Sequence, residues 1–303
     1  MPPYIPGMTS RDFIKMHGLG NDFVVIDTAG SPCAIGHDAA RALADRHTGI
    51  GCDQLILVEP PAQAGAAAFM RIFNADGSEV AACGNASRCV ARLLFARDKS
   101  RETVIETGAG LLRAWRTEAA THPFSDSDPL DVAVDMGPAL LDWSDIPLAS
   151  ACDTAHLPLV RGPLSDPVGV GMGNPHAVFF VADAAGIPLA ELGPLLEHDP
   201  LFPERANIGV AEISGKDRLR LRVWERGAGL TLACGTGACA AAVAAHRRGL
   251  TGRTVEVTLD GGTLVIEWRA DNHVVMTGPT AIAFRGCFDT ALLDAAGAAT
   301  AAA

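Results

Sequence analysis

The chain has 303 residues and a mass of 31.4 kDa, which is enough for two domains of about 150 residues each. Hydrophobic residues make up 49% of it, which is the composition of a packed protein and not that of a disordered chain. The net charge of −11 argues against nucleic acid or an anionic membrane surface as a partner.

The ends of the chain and its cysteines indicate a compartment. The N-terminus, MPPYIPGMTSRDF, lacks the basic and apolar regions of a signal peptide, and no apolar run approaches the roughly 18 residues of a membrane span. Eight cysteines in a chain of this length do not fit the disulfide framework of a small secreted domain. We therefore expect a cytoplasmic protein without membrane association, whose cysteines are buried residues, metal ligands or reactive groups.

Short β-branched runs predict strands in both halves of the chain. They are Phe23–Ile26, Leu55–Val58, Phe69–Phe73, Val132–Val134, Ala177–Val181, Leu219–Trp224, Val255–Leu259 and Leu264–Trp268. Asp260-Gly261-Gly262 between the last two predicts a hairpin turn. Helical patterns run over residues 37–47 and 187–198 and after Cys83 and Cys234. Residues 1–10 and 292–303 are expected to be unpacked ends, and residues 121–131 a surface loop.

Polar landmarks recur in the same order in the two halves. They are Asn21, Gln54, Asn74 and Cys83 in the first half, and Asn174, Asn207, Glu225 and Cys234 in the second. Their spacings are 33, 20 and 9 residues in the first half and 33, 18 and 9 in the second. Four ordered landmarks that drift by only two residues indicate two copies of one module, each of which contributes one cysteine to a shared centre.

We therefore predict an α+β fold with two similar strand-rich modules, each wrapped around a central helix. The modules are expected to be related by a pseudo-two-fold axis, with the active site in the cleft between them. The first module is predicted to span residues 11–134 and to be completed by the last strand, at about residues 278–290. The second is predicted to span residues 135–277.

Each landmark cysteine stands at a predicted helix start and is followed by glycine. Unpaired N–H groups and the positive end of the helix dipole favour thiolate there, below the reference pKa of about 8.5. Glycine allows a ligand to approach the backbone, whose N–H groups bind a carboxylate. Two such turns predict removal of a proton from the carbon next to a carboxylate by one sulfur, and delivery of a proton to its opposite face by the other. A stereocentre is then inverted without a cofactor.

Other chemistries fit the sequence less well. Pyridoxal phosphate needs a Schiff-base lysine, but none of Lys15, Lys99 and Lys216 lies in a glycine-rich phosphate context. The nucleotide motifs GxGxxG and GxxxxGK are absent, and so is the CxxC of thiol–disulfide oxidoreductases. Cysteine spacings of six and five residues, at 83/89 and 234/239, do not match paired metal ligands. We predict neither a cofactor nor a metal.

Five segments carry a family resemblance, in order, over roughly residues 13–285. They are HGLGNDFVVID, FNADGSEVAACGNASRC, GNPHAVFF, ERANIGV and ERGAGLTLACGTGACAA. Together they resemble the motifs of the diaminopimelate epimerases, whose proline racemase and phenazine-pathway isomerase relatives share the two-module fold. Small departures are GNASRC in place of GNGAR, and Leu230 where a polar residue is common; neither touches a residue expected to contact substrate.

The resemblance implies a role for each site residue. Cys83 and Cys234 correspond to the thiol pair that exchanges the α-proton. Gly84 with Asn85, and Gly235 with Thr236, correspond to the backbone clamps on the reacting carboxylate. His176 and Glu225 correspond to residues that position or polarise the substrate. The shell that binds its two amino-acid ends corresponds to Asn21, Gln54, Asn74, Asn174, Asn207, Glu225 and Arg226.

Each of these roles has a structural alternative. The asparagines could form turns, since Asn beside Gly favours the left-handed conformation. Glu225 and Arg226 could be a solvated surface pair, and His176 a structural loop residue.

The resemblance implies interconversion of LL- and meso-2,6-diaminopimelate, a step toward lysine and peptidoglycan precursors, by a PLP-independent isomerase. The alternatives are another cofactor-independent racemase of the same fold, of the proline or hydroxyproline type, and a non-catalytic amino-acid-binding module. The expected partner is a small-molecule substrate. A homodimer is one possible assembly, and the sequence does not determine the oligomeric state.

Overall fold

The structure is a computed structural model that describes residues 10–28, 30, 35–117 and 130–293. It divides into two compact units. The first takes the described residues up to Val132 and from Thr280 onward, and the second is Ala133–Pro279. The predicted N-terminal end, most of the predicted surface loop and most of the C-terminal tail lie outside the described residues. Within these residues, every helix is too short or too polar to cross a membrane.

The first unit contains two helices, α1 (His37–Ala44) and α2 (Gly84–Asp98). Its strands are β1 (Ser10–Gly18), β2 (Asn21–Asp27), β3 (Gln54–Glu59), β4 (Ala68–Asn74), β5 (Glu79–Val80), β6 (Glu102–Thr107) and β7 (Gly110–Arg116). Two longer strands, β8 (Leu130–Pro138) and β18 (His273–Asp289), contribute residues 130–132 and 280–289 to this unit. The last strand therefore begins five residues earlier than predicted.

The strands of the first unit form a closed ring around α2. Their order is β1-β2-β3-β4-β6-β7-β8-β18, and β1 pairs with β18 from Ser10–Asp289 to His17–Ala281. The β2–β3 and β4–β6 pairs are parallel, which requires the crossovers that α1 and α2 provide. Helix α2 contacts β1, β2, β6 and β7, which lie in different parts of the ring, so the ring surrounds the helix.

The second unit contains α3 (Leu189–Glu197) and α4 (Gly235–Arg247). Its strands are β9 (Val160–Arg161), β10 (Leu164–Ser165), β11 (Val168–Gly171), β12 (Pro175–Val181), β13 (Asn207–Gly215), β14 (Arg218–Glu225), β15 (Gly229–Thr231), β16 (Thr254–Leu259) and β17 (Gly262–Trp268). The order β11-β12-β13-β14-β16-β17-β18-β8 is closed by a bridge between Leu140 and Gly171. The predicted turn joins β16 to β17, with Leu259 paired to Gly262.

Helix α4 lies inside the second ring, in contact with β11, β12, β13, β14, β16 and β17. Residues 237–245 are all buried, and most of them are alanine or glycine. Small side chains let strands approach the helix from every side, which explains why an apolar segment without an amphipathic pattern folds as a central helix. The α+β prediction of strand-rich units around one helix each is confirmed.

The two units repeat the same strand register. In the first, parallel strands place Phe23 opposite Gln54, and in the second they place His176 opposite Asn207. Both pairs are related by the shift of 153 residues found in the sequence. The landmark residues Gln54 and Asn207 therefore occupy equivalent strand ends, at the start of β3 in the first unit and of β13 in the second.

Two helix boundaries differ from the prediction. Helix α1 ends at Ala44 and not at residue 47, because the Asp45 carboxylate accepts the backbone N–H groups of His47 and Thr48. That turn competes with continuation of the helix. Helix α3 begins at Leu189, with Pro188 as its N-cap, two residues later than predicted.

Candidate active site

Cys83 is the N-cap residue of α2. Its backbone is extended (φ −150°, ψ 113°), and its carbonyl accepts both the N–H and the hydroxyl of Ser87 at 2.9 Å. The residue is half-buried and is a thiol, not half of a disulfide. Gly84 and Asn85 form the buried first turn, whose N–H groups point toward the N-terminal end of the helix. Cys83 therefore stands at the positive end of the α2 dipole.

Cys234 is the N-cap residue of α4 and is only 4% exposed. Its sulfur accepts the N–H of Gly237 at 3.3 Å and lies 3.7 Å from the hydroxyl oxygen of Thr236. A Cβ atom on Gly237 would approach that sulfur to 3.1 Å, so glycine gives the thiol its space in the first turn. Gly235, the first residue of the helix, is buried beside it.

The carboxylate of Glu225 accepts the hydroxyl of Thr231 and lies near enough to the Cys234 thiol for its charge to act on that group. Burial, followed by the charge of Glu225, raises the pKa of Cys234 well above its ordinary value. Burial also raises the pKa of Glu225, although the hydrogen bond from Thr231 acts in the opposite direction. At neutral pH the proton therefore lies on the Cys234 sulfur.

This arrangement predicts slow alkylation of Cys234. We expect iodoacetamide at about pH 7 to label the exposed Cys287 and to leave Cys234 unmodified, because the thiolate is the nucleophile. The labelling rate of Cys234 should rise about tenfold per pH unit up to about pH 9, since its pKa lies above that range. Peptide mass spectrometry measures both sites in one sample. Labelling of Cys234 at the rate of Cys287 near neutral pH would contradict the assignment.

His176 lies in β12 and is 1% exposed. Its Nε2 donates to Asn174 Oδ1 at 2.9 Å, and Asn174 Nδ2 lies 3.5 Å from Thr236 Oγ1. Burial, aided by the positive charge of Arg226, lowers the pKa of His176 to about 3. The imidazole is therefore neutral at physiological pH and positions Asn174 next to the first turn of α4, instead of acting as a cation.

A buried neutral histidine makes the protein less stable in acid. Below about pH 6.5 the His176 side chain binds a proton in the unfolded chain, whereas in the native protein it stays neutral until about pH 3. The free energy of unfolding should thus fall by up to about 1.4 kcal/mol per pH unit across this interval. In His176→Gln the decline should be shallower, whereas the exposed His47→Gln control should keep the wild-type slope. Urea unfolding at several pH values tests this, and equal slopes in all three proteins would refute it.

Asn207 is a buried brace between two segments of the second unit. Its Oδ1 accepts the N–H of Arg226 at 2.9 Å, and its Nδ2 donates to the carbonyl of Pro175 at 3.0 Å. One N–H and one lone pair of the carboxamide remain. The guanidinium of Arg226 donates to the carbonyl of Glu204 at 2.9 Å, while Glu225 accepts the hydroxyl of Thr231. The alternative of a Glu225–Arg226 surface pair is therefore not what this geometry shows.

The predicted residues of the first unit form two amide pairs. Asn85 Nδ2 donates to Asn21 Oδ1 at 3.2 Å, which joins the first turn of α2 to the start of β2. Gln54 Nε2 donates to Asn74 Oδ1 at 3.0 Å across neighbouring strands. Gln54 Oε1 is buried and lacks a hydrogen-bond partner among the described residues. An ammonium or amide donor from a ligand would satisfy it.

A charged network that the sequence did not single out fixes Asn21. Asp53 accepts Asn21 Nδ2 at 3.1 Å, and Arg46 bridges Asp53 and Asp22 at 2.8 and 2.6 Å. Burial by itself would raise the pKa of Asp22, but hydrogen bonds from Arg46 and Lys15 hold it well below its usual range. In the sequence, the one indication of this network was that Asp22 and Asp53 stand directly beside the predicted site residues Asn21 and Gln54.

The site's chemistry follows from its groups. Thiol, carboxylate, neutral imidazole, amide and backbone N–H groups suit proton transfer next to a bound carboxylate. Among the described residues, no cluster of three or more His, Cys, Asp or Glu side chains is arranged to hold a metal ion. Thr231, which the sequence reasoning also missed, had no signal beyond lying in the segment before Cys234.

Sequence comparisons give the family context of these residues. A model of the diaminopimelate epimerase family matches residues 13–141 and 168–283. The diaminopimelate epimerase of Rhodospirillum centenum is 57% identical over 283 residues, which cover 93% of this chain and 94% of that protein. The diaminopimelate epimerase of Acidiphilium cryptum is 56% identical over 284 residues, covering 94% and 98%.

Solved structures share the fold at much lower identity. A hydroxyproline epimerase from Agrobacterium vitis, with bound trans-4-hydroxy-L-proline, matches with a TM-score of 0.63 and 17% identity over 92% of each chain. A phenazine biosynthesis protein from Bacillus anthracis matches with a TM-score of 0.64 and 14% identity over 93% of this chain and 99% of the other. At these identities the likeness concerns the fold alone, and it confirms the predicted fold class.

Proposed function

This chain belongs to the diaminopimelate epimerase family and is an isomerase, and we propose that it interconverts LL- and meso-2,6-diaminopimelate with Cys83 and Cys234 as a paired acid and base. The observation that carries the proposal is the same in each unit: a cysteine forms the N-cap of the one helix that the strand ring encloses. The repeat places one thiol at the equivalent position of each unit. A reaction on the two faces of one carbon uses two such groups.

The reacting carboxylate is bound by the first turns of the two helices. N–H groups at Gly84 and Asn85, and at Gly235 and Thr236, lie in the first turn of a helix and carry the positive end of its dipole. As the α-proton leaves, negative charge develops on this carboxylate. Fixed donors that bind it more strongly in the transition state than in the ground state lower the barrier.

Proton transfer is balanced between the two sulfurs. The Cys83 thiolate takes the α-proton, and the electron pair of the broken C–H bond delocalises into the carboxylate. The Cys234 thiol then donates its proton to the opposite face of the carbon, which inverts the centre and leaves Cys234 as thiolate. The raised pKa of Cys234 supports its role as the acid in this direction.

The reverse direction needs the opposite protonation of the pair. The forward reaction itself leaves this state, with the α-proton on Cys83 and Cys234 as thiolate, so Cys234 removes the proton of the product and Cys83 donates its own proton to the opposite face. Glu225, whose negative charge acts on Cys234, makes that thiolate more basic. Neutral His176 assists indirectly, by holding Asn174 beside Thr236. Its low pKa argues against imidazolium as a proton donor at physiological pH.

The remaining polar residues bind the distal amino-acid end of the substrate. Arg226 supplies a guanidinium suited to a carboxylate, and the unpartnered Gln54 Oε1 supplies an acceptor for an ammonium group. Asn21, Asn74, Asn174 and Asn207 supply further donors and acceptors while holding these groups in place. A mechanism with two thiols also favours a reducing cytoplasm over an oxidising compartment.

Incubation with LL-diaminopimelate in D₂O tests the function. Formation of the meso isomer with one deuterium at the inverted α-carbon supports the proposal. Exchange with proline or hydroxyproline, and none with diaminopimelate, would assign the chain to a racemase of the other type. Tight diaminopimelate binding without exchange would identify an amino-acid-binding module, and either result would overturn the proposal.

A further inference from the structure

Glu197, the last residue of α3, is a buried carboxylate outside the proposed reaction path. It is 3% exposed and accepts the indole N–H of Trp224 at 2.7 Å on one oxygen. Its other oxygen accepts the backbone N–H of Gly227 at 3.0 Å and lies 3.3 Å from an Arg205 nitrogen. Burying a charge is costly unless the charge is paired and hydrogen-bonded. Here the donors come from three separate segments, so the carboxylate also holds those segments in one arrangement.

The two shortest hydrogen bonds of the Glu197 side chain come from the residues on either side of the Glu225–Arg226 dipeptide. Trp224 precedes the dipeptide and Gly227 follows it, so one carboxylate fixes the chain on both sides of the turn that ends β14. Gly227 has a positive φ of 74°, a conformation that a hydrogen bond to its N–H stabilises. The direction in which the Arg226 side chain leaves the backbone is therefore set from Glu197.

A second set of contacts reaches the Arg226 side chain. The guanidinium of Arg226 donates to the carbonyl of Glu204, the residue before Arg205. Arg205 pairs with Glu197, and the N–H of Ala206 donates to the Glu197 backbone carbonyl at 3.2 Å. Glu197 thus holds the 204–206 segment as well as the turn, so both ends of the Arg226 side chain depend on it.

Close packing of Trp224 on α3 supports the same assignment. A Cβ atom at Gly193 would lie 2.5 Å from two ring carbons of Trp224, so the helix has glycine where the indole contacts it. The indole reaches Glu197 only because this space is open. Gly193 and Glu197, four residues apart on α3, therefore both contact the Trp224 side chain: one leaves space for the ring and the other accepts its N–H.

From these contacts we infer that Glu197 is a positioning residue that orients Arg226 toward the distal end of the substrate. The inference rests on the proposed function, since it takes Arg226 to bind the substrate's distal carboxylate. Glu197 itself touches no substrate. It acts through Trp224, Gly227 and the 204–206 segment.

The test is Glu197→Gln in the full chain. Glutamine has the same size but one oxygen, so its NH₂ group faces either the Trp224 indole or the Gly227 N–H, and at least one of these bonds is lost. We expect KM for diaminopimelate to rise about tenfold, with kcat within about threefold of wild type, because distal binding is weakened while Cys234 stays held by α4. A merely structural residue would lower the melting temperature and leave KM unchanged.

Two further variants make the test specific. Trp224→Phe removes the indole donor and keeps a ring, and should raise KM in the same way. The double variant should be close to Glu197→Gln alone, since both changes act through the position of Arg226. Glu212→Gln is the matched control. It alters another carboxylate of this unit, one that accepts the Ala184 N–H at 3.0 Å, and should leave KM unchanged.

The outcomes separate the two proposals. Absence of diaminopimelate epimerisation by the wild-type protein would refute the proposed function. An active wild type with unchanged KM in Glu197→Gln and Trp224→Phe would refute the positioning role alone. If Glu197→Gln does not fold, the KM of Trp224→Phe decides: a rise of about tenfold supports the role, and no rise overturns it.

Discussion

Replacing either Cys83 or Cys234 with alanine is expected to lower kcat for epimerisation by at least about 10³-fold while the fold is retained. Each sulfur serves one face of the α-carbon, so neither thiol replaces the other. The two single variants should therefore be similarly inactive, and the double variant should be little worse, because residues that act as a unit are not additive. Chiral analysis of the product measures the loss, and circular dichroism reports the fold.

The helices themselves supply matched controls for this experiment. Cys89 is buried on α2 and Cys239 on α4, each a short distance beyond the N-cap thiol of its own helix. Alanine at these positions removes a sulfur from the same helix without touching the first turn, so activity should stay near wild type. The two-thiol mechanism fails if Cys83→Ala or Cys234→Ala keeps more than about a tenth of the wild-type rate, or if the control variants lose as much.

The helix starts could be predicted because their causes are local. At both positions a cysteine precedes glycine and a small polar residue, and an apolar segment follows. This order is enough to predict a helix N-terminus near a thiol. The correspondence between the parallel strand pairs of the two units could be predicted for a related reason. The spacing of 33 residues is equal in both halves and places equivalent residues at equivalent strand ends.

The groups that support the site could not be predicted, because their contacts join distant segments. Glu197 meets Trp224 across 27 residues, and Asp22 meets Asp53 and Arg46 across 31 and 24 residues. Nothing in a helix-terminal glutamate or a surface arginine distinguishes these residues before the chain has folded. Their function follows from burial together with several hydrogen-bond donors, and burial depends on the whole ring of strands.

The protonation states were also beyond the sequence. A cysteine at a helix N-terminus favours thiolate, yet Cys234 keeps its proton because burial and the charge of Glu225 outweigh the hydrogen bonds from Thr236 and Gly237. His176 shows the same dominance of burial, with a pKa of about 3 that sequence context does not reveal. Local sequence identifies the group that titrates, whereas the fold decides in which direction its pKa moves.

Substrates that lack the distal amino-acid end are expected to react far more slowly than diaminopimelate. L-lysine lacks only the distal carboxylate, and L-alanine lacks the whole distal half of the molecule. Without a carboxylate, Arg226 keeps a guanidinium whose preferred partner is missing, and the remote binding energy that holds the α-carbon between two thiols is lost. We expect kcat/KM for either analogue to be lower by about 10³-fold or more, since sites built around polar groups reject analogues that lack them.

Loss of the α-proton in D₂O, followed by NMR, measures the three substrates on one scale. Arg226→Gln is the matching change in the protein: it should lower kcat/KM for diaminopimelate strongly and leave the slow reaction of L-alanine nearly unchanged, because L-alanine has nothing for Arg226 to bind. Glu212→Gln, remote from Arg226, should preserve the wild-type ranking of all three. Equal kcat/KM for L-lysine and diaminopimelate would show that Arg226 does not bind the distal end, whatever the two cysteines do.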